Sequence, residues 1–431
     1  MINVAYIKIW NELVGAIAYD ATRGISSFEY DNNFLKHRWD LAPIKMPLMN
    51  ANKRIFSFAE LRNNQTFRGL PGLLADILPD RYGNALINTW LNRQGRASNS
   101  LNPVETLCFI GSRGIGAIEI EPAFPKDNQK ASKLEIGSLI EISEQILNGR
   151  KSFTTNLSQN EEKALIDVLK IGTSAGGARA KAVISYNPIS KEIRSGQTDA
   201  PDGFSQWLIK FDGVTDKQFG VSSGYGRVEM AYYYMAIDAG IEMSECLLFE
   251  ENNRAHFMTK RFDRELNNEK VHMQSFCALQ HYDFNEVLMY SYEQLFETMR
   301  LLGLPYPQAE QIYRRMIFNV LARNCDDHTK NFSFLMDKTG KWKISPAYDI
   351  CHAYRPRSEW VSKHALSING KRNDFEKSDL LSVAQQMNIK KPEQIIEQIG
   401  TVVNNWEFYA NKVNVEKPLK NAIAKTLLVL K

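Results

Sequence analysis

Residues 322–350 read ARNCDDHTKNFSFLMDKTGKWKISPAYDI and carry the clearest information about the fold. Asp326 and Asn331 stand five positions apart, and the apolar runs FSFLM and KWKIS flank the turn residues DKTG. Two apolar runs on either side of a glycine-containing turn predict a β-hairpin. This hairpin would bring Asp349 close to Asn331. The segment therefore predicts that polar side chains distant in sequence lie together.

The Asp-x4-Asn spacing is that of a protein-kinase catalytic loop. In such a loop the aspartate accepts the proton of the substrate hydroxyl and the asparagine binds magnesium. Mg²⁺ prefers oxygen ligands shared with phosphate groups, which Asn331 and Asp349 would supply. The residues also allow a second interpretation, in which Asp326, Asp327 and Lys330 form a solvated loop and Asp349 is the N-cap of a helix.

The composition is that of a globular protein of more than one domain. The chain has 431 residues, of which 44% are apolar and 24% charged, and its net charge is +4. This length favours two or three domains or lobes, and the small charge does not by itself indicate nucleic acid or an anionic membrane. Five scattered cysteines without a C-x-x-C pair, and no secretory or membrane-spanning pattern, predict a cytoplasmic protein with reduced thiols.

The order of predicted elements indicates an α+β chain with a two-lobed, protein-kinase-like fold. We expect an N-terminal α+β subdomain (1–125), a kinase N-lobe with a glycine-rich loop and a strand lysine (126–265), and a mainly helical C-lobe (266–431) with the catalytic loop and hairpin. The polar run PKDNQKASK marks the first boundary. The segment ECLLFEENNRAHFMTKRFDR predicts a further hairpin with ENNR at its turn. The first two predicted strands, NVAYIKIW and LVGAIAYD, flank the turn residues Asn11 and Glu12. We expect a helical stretch through EKALIDVLKIG and a polar loop at ISKEIRSGQTDAPDG.

Two segments upstream of the hairpin are candidates for phosphate contacts. The glycine-rich segment IGTSAGGARAKAVISY (171–186) leads into a strand, and its backbone amides are suited to phosphate, although it is not a Walker A motif. Lys210 lies in the apolar strand QWLIKFDG, with Glu229 on the following helix as its candidate partner. An ordinary hairpin turn and a solvent-facing lysine on an edge strand are the alternatives. The glycines of residues 111–116 are given a structural role.

Several motifs together resemble the HipA toxins, which are serine/threonine kinases of type II toxin–antitoxin pairs. They are SAGGARAK, FMTKRFDR, DDHTKNFSF and SPAYDI, preceded by FRGLPGLLADILPDRYG, and they span essentially the whole chain. The resemblance implies that Asp326 is the catalytic base, that Asn331 and Asp349 bind Mg²⁺, and that Ser174 is autophosphorylated as an off-switch. The implied ATP-binding residues are Ala175, Gly176, Gly177, Ala178, Arg179, Lys181, Lys210, Lys260, Arg261, Phe262, His328, Lys330, Asn331, Tyr348 and Asp349. Glu229 is added to the ATP-binding residues from its position on the helix more than from a motif.

The resemblance also implies the reaction and the partners. We expect an ATP- and Mg²⁺-dependent kinase that phosphorylates a protein target in translation. We expect its partner to be a helix-turn-helix antitoxin, with which it co-represses its operon, and operator DNA to be bound only through that complex. No membrane partner is expected. The alternatives are a small-molecule phosphotransferase and a catalytically idle, antitoxin-binding co-repressor. Arg179-Ala180-Lys181 departs from the usual loop of the family, which leaves the role of Arg179 open.

Overall fold

The computed structural model divides the chain into two compact units. The residues that it describes are 2–52, 54–123, 134, 136–147, 172, 179–196, 199–216, 220–221, 224–265 and 268–430. The first unit draws on residues 1–41, 46–226 and 247–273, and the second on residues 42–45, 227–246 and 274–431. Among the described residues, no helix has the length and apolar character needed to cross a membrane. The three-part domain division stays a prediction.

The first unit begins with a five-stranded antiparallel sheet in the order β4-β3-β2-β1-β5. Its strands are β1 Val4–Ile9, β2 Glu12–Asp20, β3 Ile25–Tyr30, β4 Ile55–Ser57 and β5 Ile118–Glu121. Alternate side chains of β1 are buried, because the sheet covers a core on one face only. Trp10 and Asn11 form the first turn, with φ of 49° and 69°, so the turn lies one residue earlier than the predicted Asn11-Glu12.

The helices of the first unit begin at clear sequence signals. Asp80 accepts a hydrogen bond from the Gly83 backbone and caps one helix, while Asn102 and Glu105 form a capping box on the next. The α-helices are Gly72–Ala75, Arg81–Arg93, Pro103–Ile110 and Ile136–Leu147, and short 3-10 helices span Phe34–Lys36, Leu48–Asn50 and Ala59–Leu61. The predicted helical stretch EKALIDVLKI lies outside the described residues.

A second five-stranded sheet in this unit has the order β11-β12-β8-β6-β7. Its strands are β6 Lys181–Tyr186, β7 Ile193–Ser195, β8 Ser205–Lys210, β11 Cys246–Glu251 and β12 Arg254–Lys260. The predicted ENNR turn is present, with Asn252 and Asn253 at φ of 45° and 61°, as a two-residue hairpin turn requires. The short strand β7 was expected to be loop, because three residues among charged neighbours carry little periodic signal. A two-residue pair, β9 Thr215–Asp216 and β10 Gly220–Val221, also lies in this unit.

The second unit is mainly helical. Its core includes the fully buried Tyr292, Phe296, Tyr313 and Phe318. Its helices are Tyr225–Asp238 (from Arg227 onward), Phe276–Gln280, Tyr292–Leu301, Tyr306–Leu321, Lys377–Gln386, Pro392–Asn404, Trp406–Lys412 and Lys417–Ala424, with a 3-10 turn at Thr329–Asn331. The strands β13 His272–Ser275, β14 Ser333–Met336 and β15 Trp342–Ile344 form one small sheet in that order.

Candidate active site

The predicted catalytic base lies on a loop that follows the helix Tyr306–Leu321. The chain leaves the helix through Arg323, whose φ is 55°. Asn324 then ties the loop to the helix, because its side-chain amide donates a 3.0 Å hydrogen bond to Asn319 Oδ1. Asp326 follows with a side chain that is 51% exposed. The loop is therefore held against the helix while its first carboxylate faces solvent.

Three of the predicted site residues lie together on this loop. The Asn331 side-chain amide donates a 2.7 Å hydrogen bond to the backbone carbonyl of Asp326. The amide oxygen of Asn331 is then the atom that can meet a cation. His328 Nε2 lies 3.9 Å from Asp326 Oδ1, and the His328 ring packs against Phe284 with 5.3 Å between ring centres. His328 thus supports the loop next to the predicted base.

The predicted hairpin follows at once. β14 and β15 pair in antiparallel register, and the Ser345 amide donates a 2.9 Å hydrogen bond to the Ser333 carbonyl. The turn is closed by Asp337, whose Oδ1 accepts hydrogen bonds from the backbone amides of Thr339 at 2.8 Å and Lys341 at 3.2 Å. A carboxylate that binds the backbone two residues later stabilises such a turn. The hairpin is therefore specified by its own side chains.

The predicted metal ligand Asp349 is tied to the catalytic loop on both of its flanks. Before it, the Tyr348 hydroxyl donates a 2.7 Å hydrogen bond to the carbonyl of Lys330. After it, the Ala353 carbonyl accepts a 3.1 Å hydrogen bond from the Cys325 amide. Asp349 itself has a φ of 52°, in the left-handed region that aspartate tolerates better than most residues. These ties bring Asp349 next to the loop that carries the other two residues.

The second aspartate of the loop, Asp327, is buried, whereas Asp326 is exposed. Asp327 is 1% exposed and accepts hydrogen bonds of 2.8 Å each from the Tyr292 hydroxyl and the Ala365 amide. His364 Nδ1 also lies 2.8 Å from its carboxylate. The solvated-loop interpretation is therefore wrong for Asp327. Sequence spacing does not indicate His364 or Tyr292, because only the fold brings residues 37 and 35 positions away to this carboxylate.

Lys210 lies at the end of a central strand of the second sheet. It stands opposite Lys181 on β6 and Phe257 on β12, so the edge-strand alternative does not hold. Its ammonium lies 5.7 Å from the centre of the Phe257 ring. Glu229 is a buried residue of the helix Tyr225–Asp238 in the second unit. Its pairing with Lys210 stays a prediction.

Lys181 is buried beside a carboxylate and is not open to solvent as a phosphate-binding lysine would be. The residue is 3% exposed, and its ammonium lies 3.4 Å from Asp80 Oδ2, on the residue that caps the helix Arg81–Arg93. The Arg179 guanidinium stacks over the Tyr225 ring, 4.8 Å from its centre. The basic side chains on either side of Ala180 therefore contact protein groups in this structure.

Some of the remaining predicted nucleotide-binding residues are described by the structure, and others are not. The Lys260 ammonium lies 5.9 Å from the centre of the Trp207 ring, and Phe262 is a partly buried residue of the turn that follows. Ser174 and the segment Ala175–Ala178 lie outside the described residues. Their predicted roles in autophosphorylation and phosphate binding stay predictions.

Arg261 belongs to a buried ion cluster at the end of β12. The Asp263 carboxylate lies 2.7 Å from Arg261 and 2.9 Å from Arg264, and it accepts a 2.7 Å hydrogen bond from the Gly116 amide. Burial alone would raise the pKa of Asp263, but the two guanidinium groups hold it well below its usual range. Arg264 also donates to the Gly114 carbonyl at 3.0 Å. The cluster thus anchors residues 111–116, in agreement with a structural role for those glycines.

The donor set fits a magnesium ion that is bound together with phosphate. Asn331 and Asp349 offer the hard oxygen atoms that Mg²⁺ prefers, and Mg²⁺ in kinase sites takes one or two protein ligands beside phosphate and water. The described part of the chain contains no group of three or more His, Cys, Asp or Glu residues arranged to hold a metal by themselves. The residues present therefore suit a nucleotide-bound cation rather than an all-protein metal site.

Comparisons with known proteins identify the family and the fold. The family model for the HipA N-terminal domain matches residues 5–121, and the one for the HipA-like C-terminal domain matches residues 173–406. A chain in the solved complex of the Shewanella oneidensis MR-1 toxin–antitoxin proteins HipA and HipB with operator DNA is similar at a TM-score of 0.67 and 16% identity. That match covers 98% of this chain and 94% of the solved one, and it confirms the predicted fold class.

One further structural comparison and one sequence comparison give weaker information about this chain. The Helicobacter pylori proinflammatory kinase CtkA matches 52% of this chain, and 90% of its own, at a TM-score of 0.32 and 14% identity, which is too low to carry an argument. No curated protein sequence gives a significant match. The C-terminal family model alone covers more than half of the 431 residues, so this chain belongs to the HipA family.

Proposed function

We propose that this chain is an ATP-dependent protein serine/threonine kinase that acts as the toxin of a toxin–antitoxin pair. The observation that carries the proposal is the grouping of Asp326, Asn331 and Asp349 in the second unit of a HipA-family chain. A base and two oxygen ligands on either side of one transferring group are what phosphoryl transfer requires. The proposal is supported by the hydrogen bonds of Tyr348 to the Lys330 carbonyl and of Cys325 to the Ala353 carbonyl, which link segments that carry residues 23 positions apart.

Each residue has a defined part in the proposed reaction. Asp326 accepts the proton of a substrate serine or threonine hydroxyl as the hydroxyl oxygen attacks the γ-phosphorus of ATP. The bond between the γ-phosphorus and the β–γ bridging oxygen breaks, and ADP leaves. Asn331 and Asp349 would hold Mg²⁺, which when bound would offset the negative charge of the phosphates. Lys210 binds the phosphates from β8. The exposure of Asp326 suits this part, because a protein-borne hydroxyl must be able to reach the carboxylate.

The partners and the regulation belong to the same proposal. The similar solved complex contains HipB and operator DNA, which supports an antitoxin partner for this chain and DNA binding through that partner. We propose a protein target in translation, co-repression of the operon, and autophosphorylation of Ser174 as the off-switch. A phosphoserine beside a phosphate-binding loop would oppose ATP binding through its added negative charge.

The first test is intact-mass spectrometry of the purified chain after incubation with ATP and Mg²⁺, followed by peptide mapping. The informative variant is Asp326→Asn, which keeps the side-chain size but removes the base. The matched control is Glu397→Gln, an exposed carboxylate on the helix Pro392–Asn404. We expect phosphate on Ser174 in the wild type and the control, none in Asp326→Asn, and unchanged circular dichroism in all three.

The alternatives give different results. ATP binding without phosphate on any protein would favour a small-molecule phosphotransferase. Absence of both ATP binding and phosphate would favour an idle co-repressor. Phosphorylation that survives in Asp326→Asn would refute the assigned base.

A further inference from the structure

The catalytic loop contains a buried carboxylate for which the reaction has no direct use. Asp327 follows the exposed Asp326, yet its side chain is fully buried. Its Oδ1 accepts from the Ala365 amide, while its Oδ2 contacts the Tyr292 hydroxyl and His364 Nδ1, at 2.8 Å in every case. A buried carboxylate is tolerated only where donors satisfy its oxygen atoms. Here three donors from two other parts of the second unit do so.

The histidine of this network is held as firmly as the carboxylate. Burial alone would lower the pKa of His364, but the Asp327 carboxylate, with Cys325 adding to it, raises the pKa to about 10. His364 is therefore a cation at neutral pH. Its segment is anchored by Arg372, which donates to the Ala365 carbonyl and, at 2.9 Å, to the Tyr290 carbonyl.

The tyrosine connects the carboxylate to the preceding helix. Burial raises the pKa of Tyr292, and the nearby Asp327 raises it further, so the hydroxyl keeps its proton and donates a hydrogen bond to Asp327. The same hydroxyl accepts a 3.0 Å hydrogen bond from the Asn319 side chain, whose Oδ1 accepts one from Asn324. A continuous series of hydrogen bonds thus joins the helix Tyr306–Leu321 to both ends of the loop segment that contains Asp326.

We propose that Asp327, His364 and Tyr292 are positioning residues that fix the direction in which Asp326 faces the substrate. Asp326 is exposed between the buried Cys325 and Asp327, so the inward anchor of Asp327 determines the outward direction of its neighbour. This inference rests on the proposed kinase function. It extends that function to residues that lie outside the Asp-x4-Asn pattern and do not contact the reacting atoms.

The chemistry of the network favours positioning over simple stabilisation. A buried ion pair adds little net stability compared with apolar side chains of similar volume. Its hydrogen bonds are directional, however, and the three that meet at the Asp327 carboxylate restrict the backbone around it. A displacement of about 1 Å at a catalytic group can reduce the rate roughly 100-fold. A loop that presents a base therefore gains more from such a network than an ordinary turn does.

The test compares two buried tyrosines of the second unit. Tyr292→Phe removes the hydroxyl that contacts Asp327, while Tyr313→Phe removes an equally buried hydroxyl that donates to the Leu380 carbonyl at 3.1 Å. His364→Gln is the second informative variant, since it removes the cation and keeps a hydrogen-bond donor. For each variant we would measure kcat and KM for phosphoryl transfer, the Kd for ATP with Mg²⁺, and the melting temperature.

We expect kcat to fall roughly 10- to 100-fold in Tyr292→Phe and His364→Gln, with the Kd for ATP changed less than about twofold. We expect Tyr313→Phe to lower the melting temperature about as much as Tyr292→Phe does and to leave kcat unchanged. An unchanged kcat in both informative variants, or an equal loss of kcat in Tyr313→Phe, would overturn this inference and leave the proposed function standing. A wild-type chain without phosphoryl transfer would overturn the proposed function and this inference with it.

Discussion

Asp349 has a backbone conformation that few residues other than glycine adopt, since its φ is 52°. Aspartate and asparagine tolerate this region better than most side chains. Asp349→Asn should therefore keep the local backbone and remove only the charge. We expect the affinity for ATP in the presence of Mg²⁺ to fall about tenfold or more, with little change in melting temperature, as measured by titration calorimetry and thermal denaturation.

Asp374 supplies a matched control for this change. It is an exposed aspartate of the second unit with the same φ of 52°. Asp374→Asn should leave both ATP affinity and stability unchanged. Equal ATP affinity in Asp349→Asn and the wild type would contradict the assignment of Asp349 as a metal ligand.

Lys181 illustrates how a basic residue in a predicted phosphate loop can have a structural contact. Its ammonium and the Asp80 carboxylate form a buried pair in the first unit. Removal of one partner of a buried pair costs about 3–5 kcal/mol, because the other charge is left without compensation. We expect Lys181→Met to lower the free energy of unfolding by this amount in chemical denaturation.

Two further variants separate this effect from a general loss of charge. Lys191→Met removes an exposed lysine of the same unit and should change stability by less than about 0.5 kcal/mol. Asp80→Asn keeps a good helix cap and removes the buried negative charge, so in combination with Lys181→Met it should restore part of the loss. A double variant that is as unstable as the sum of both single variants would argue against the pair.

At the scale of elements, the hairpin β14–β15 depends on the side chain at its turn. Asp337 Oδ1 accepts from the Thr339 hydroxyl at 2.5 Å as well as from two backbone amides. Asp337→Ala removes these hydrogen bonds and should destabilise the hairpin by about 1–3 kcal/mol. We expect faster amide hydrogen exchange over residues 333–345. Asp337→Asn keeps an acceptor oxygen and should retain most of the protection, whereas equal exchange in both variants would contradict this account.

The elements differ in how well the sequence predicts them. The hairpins β1–β2, β11–β12 and β14–β15 join apolar runs through short turns, and local rules predict their existence. The position of the first turn was missed by one residue, because Trp10 takes a positive φ that its side chain does not favour. Strand β7 was missed because its pairing with β6, not its own pattern, makes it a strand. Local propensity is weak wherever tertiary contacts supply most of the stability.

At the scale of the whole molecule, buried histidines determine how stability depends on pH. Burial is the main cause that lowers the pKa of four histidines from 6.5. The pKa falls to about 4 in His256, His272 and His352 and to about 3 in His281. The unfolded chain therefore takes up protons at these histidines before the folded chain does. Their contribution to stability is complete above pH 6.5 and is lost as the pH falls from 6.5 towards 4.

His364 has the opposite dependence. Its folded pKa of about 10 lies above the unfolded value of 6.5, so its contribution is complete below pH 6.5 and is lost as the pH rises towards 10. We expect the urea midpoint of unfolding to be highest near neutral pH and to decline on both sides. The His364→Gln variant should decline less on the alkaline side, and an unchanged alkaline slope would contradict the buried pair.

Each motif that indicates the family and the proposed chemistry is a short run of neighbouring residues, so short-range spacing was enough to find the motifs one by one. Asp326, Asn331 and the DKTG turn obey local geometric rules, and the motifs around them identify a HipA-family chain. Such local rules do not predict the direction in which a side chain points. Spacing could not tell that Asp326 is exposed and Asp327 buried, or that Lys181 contacts Asp80 across about 100 positions. Burial and long-range pairing depend on which distant segments pack together, and only the folded chain defines those contacts.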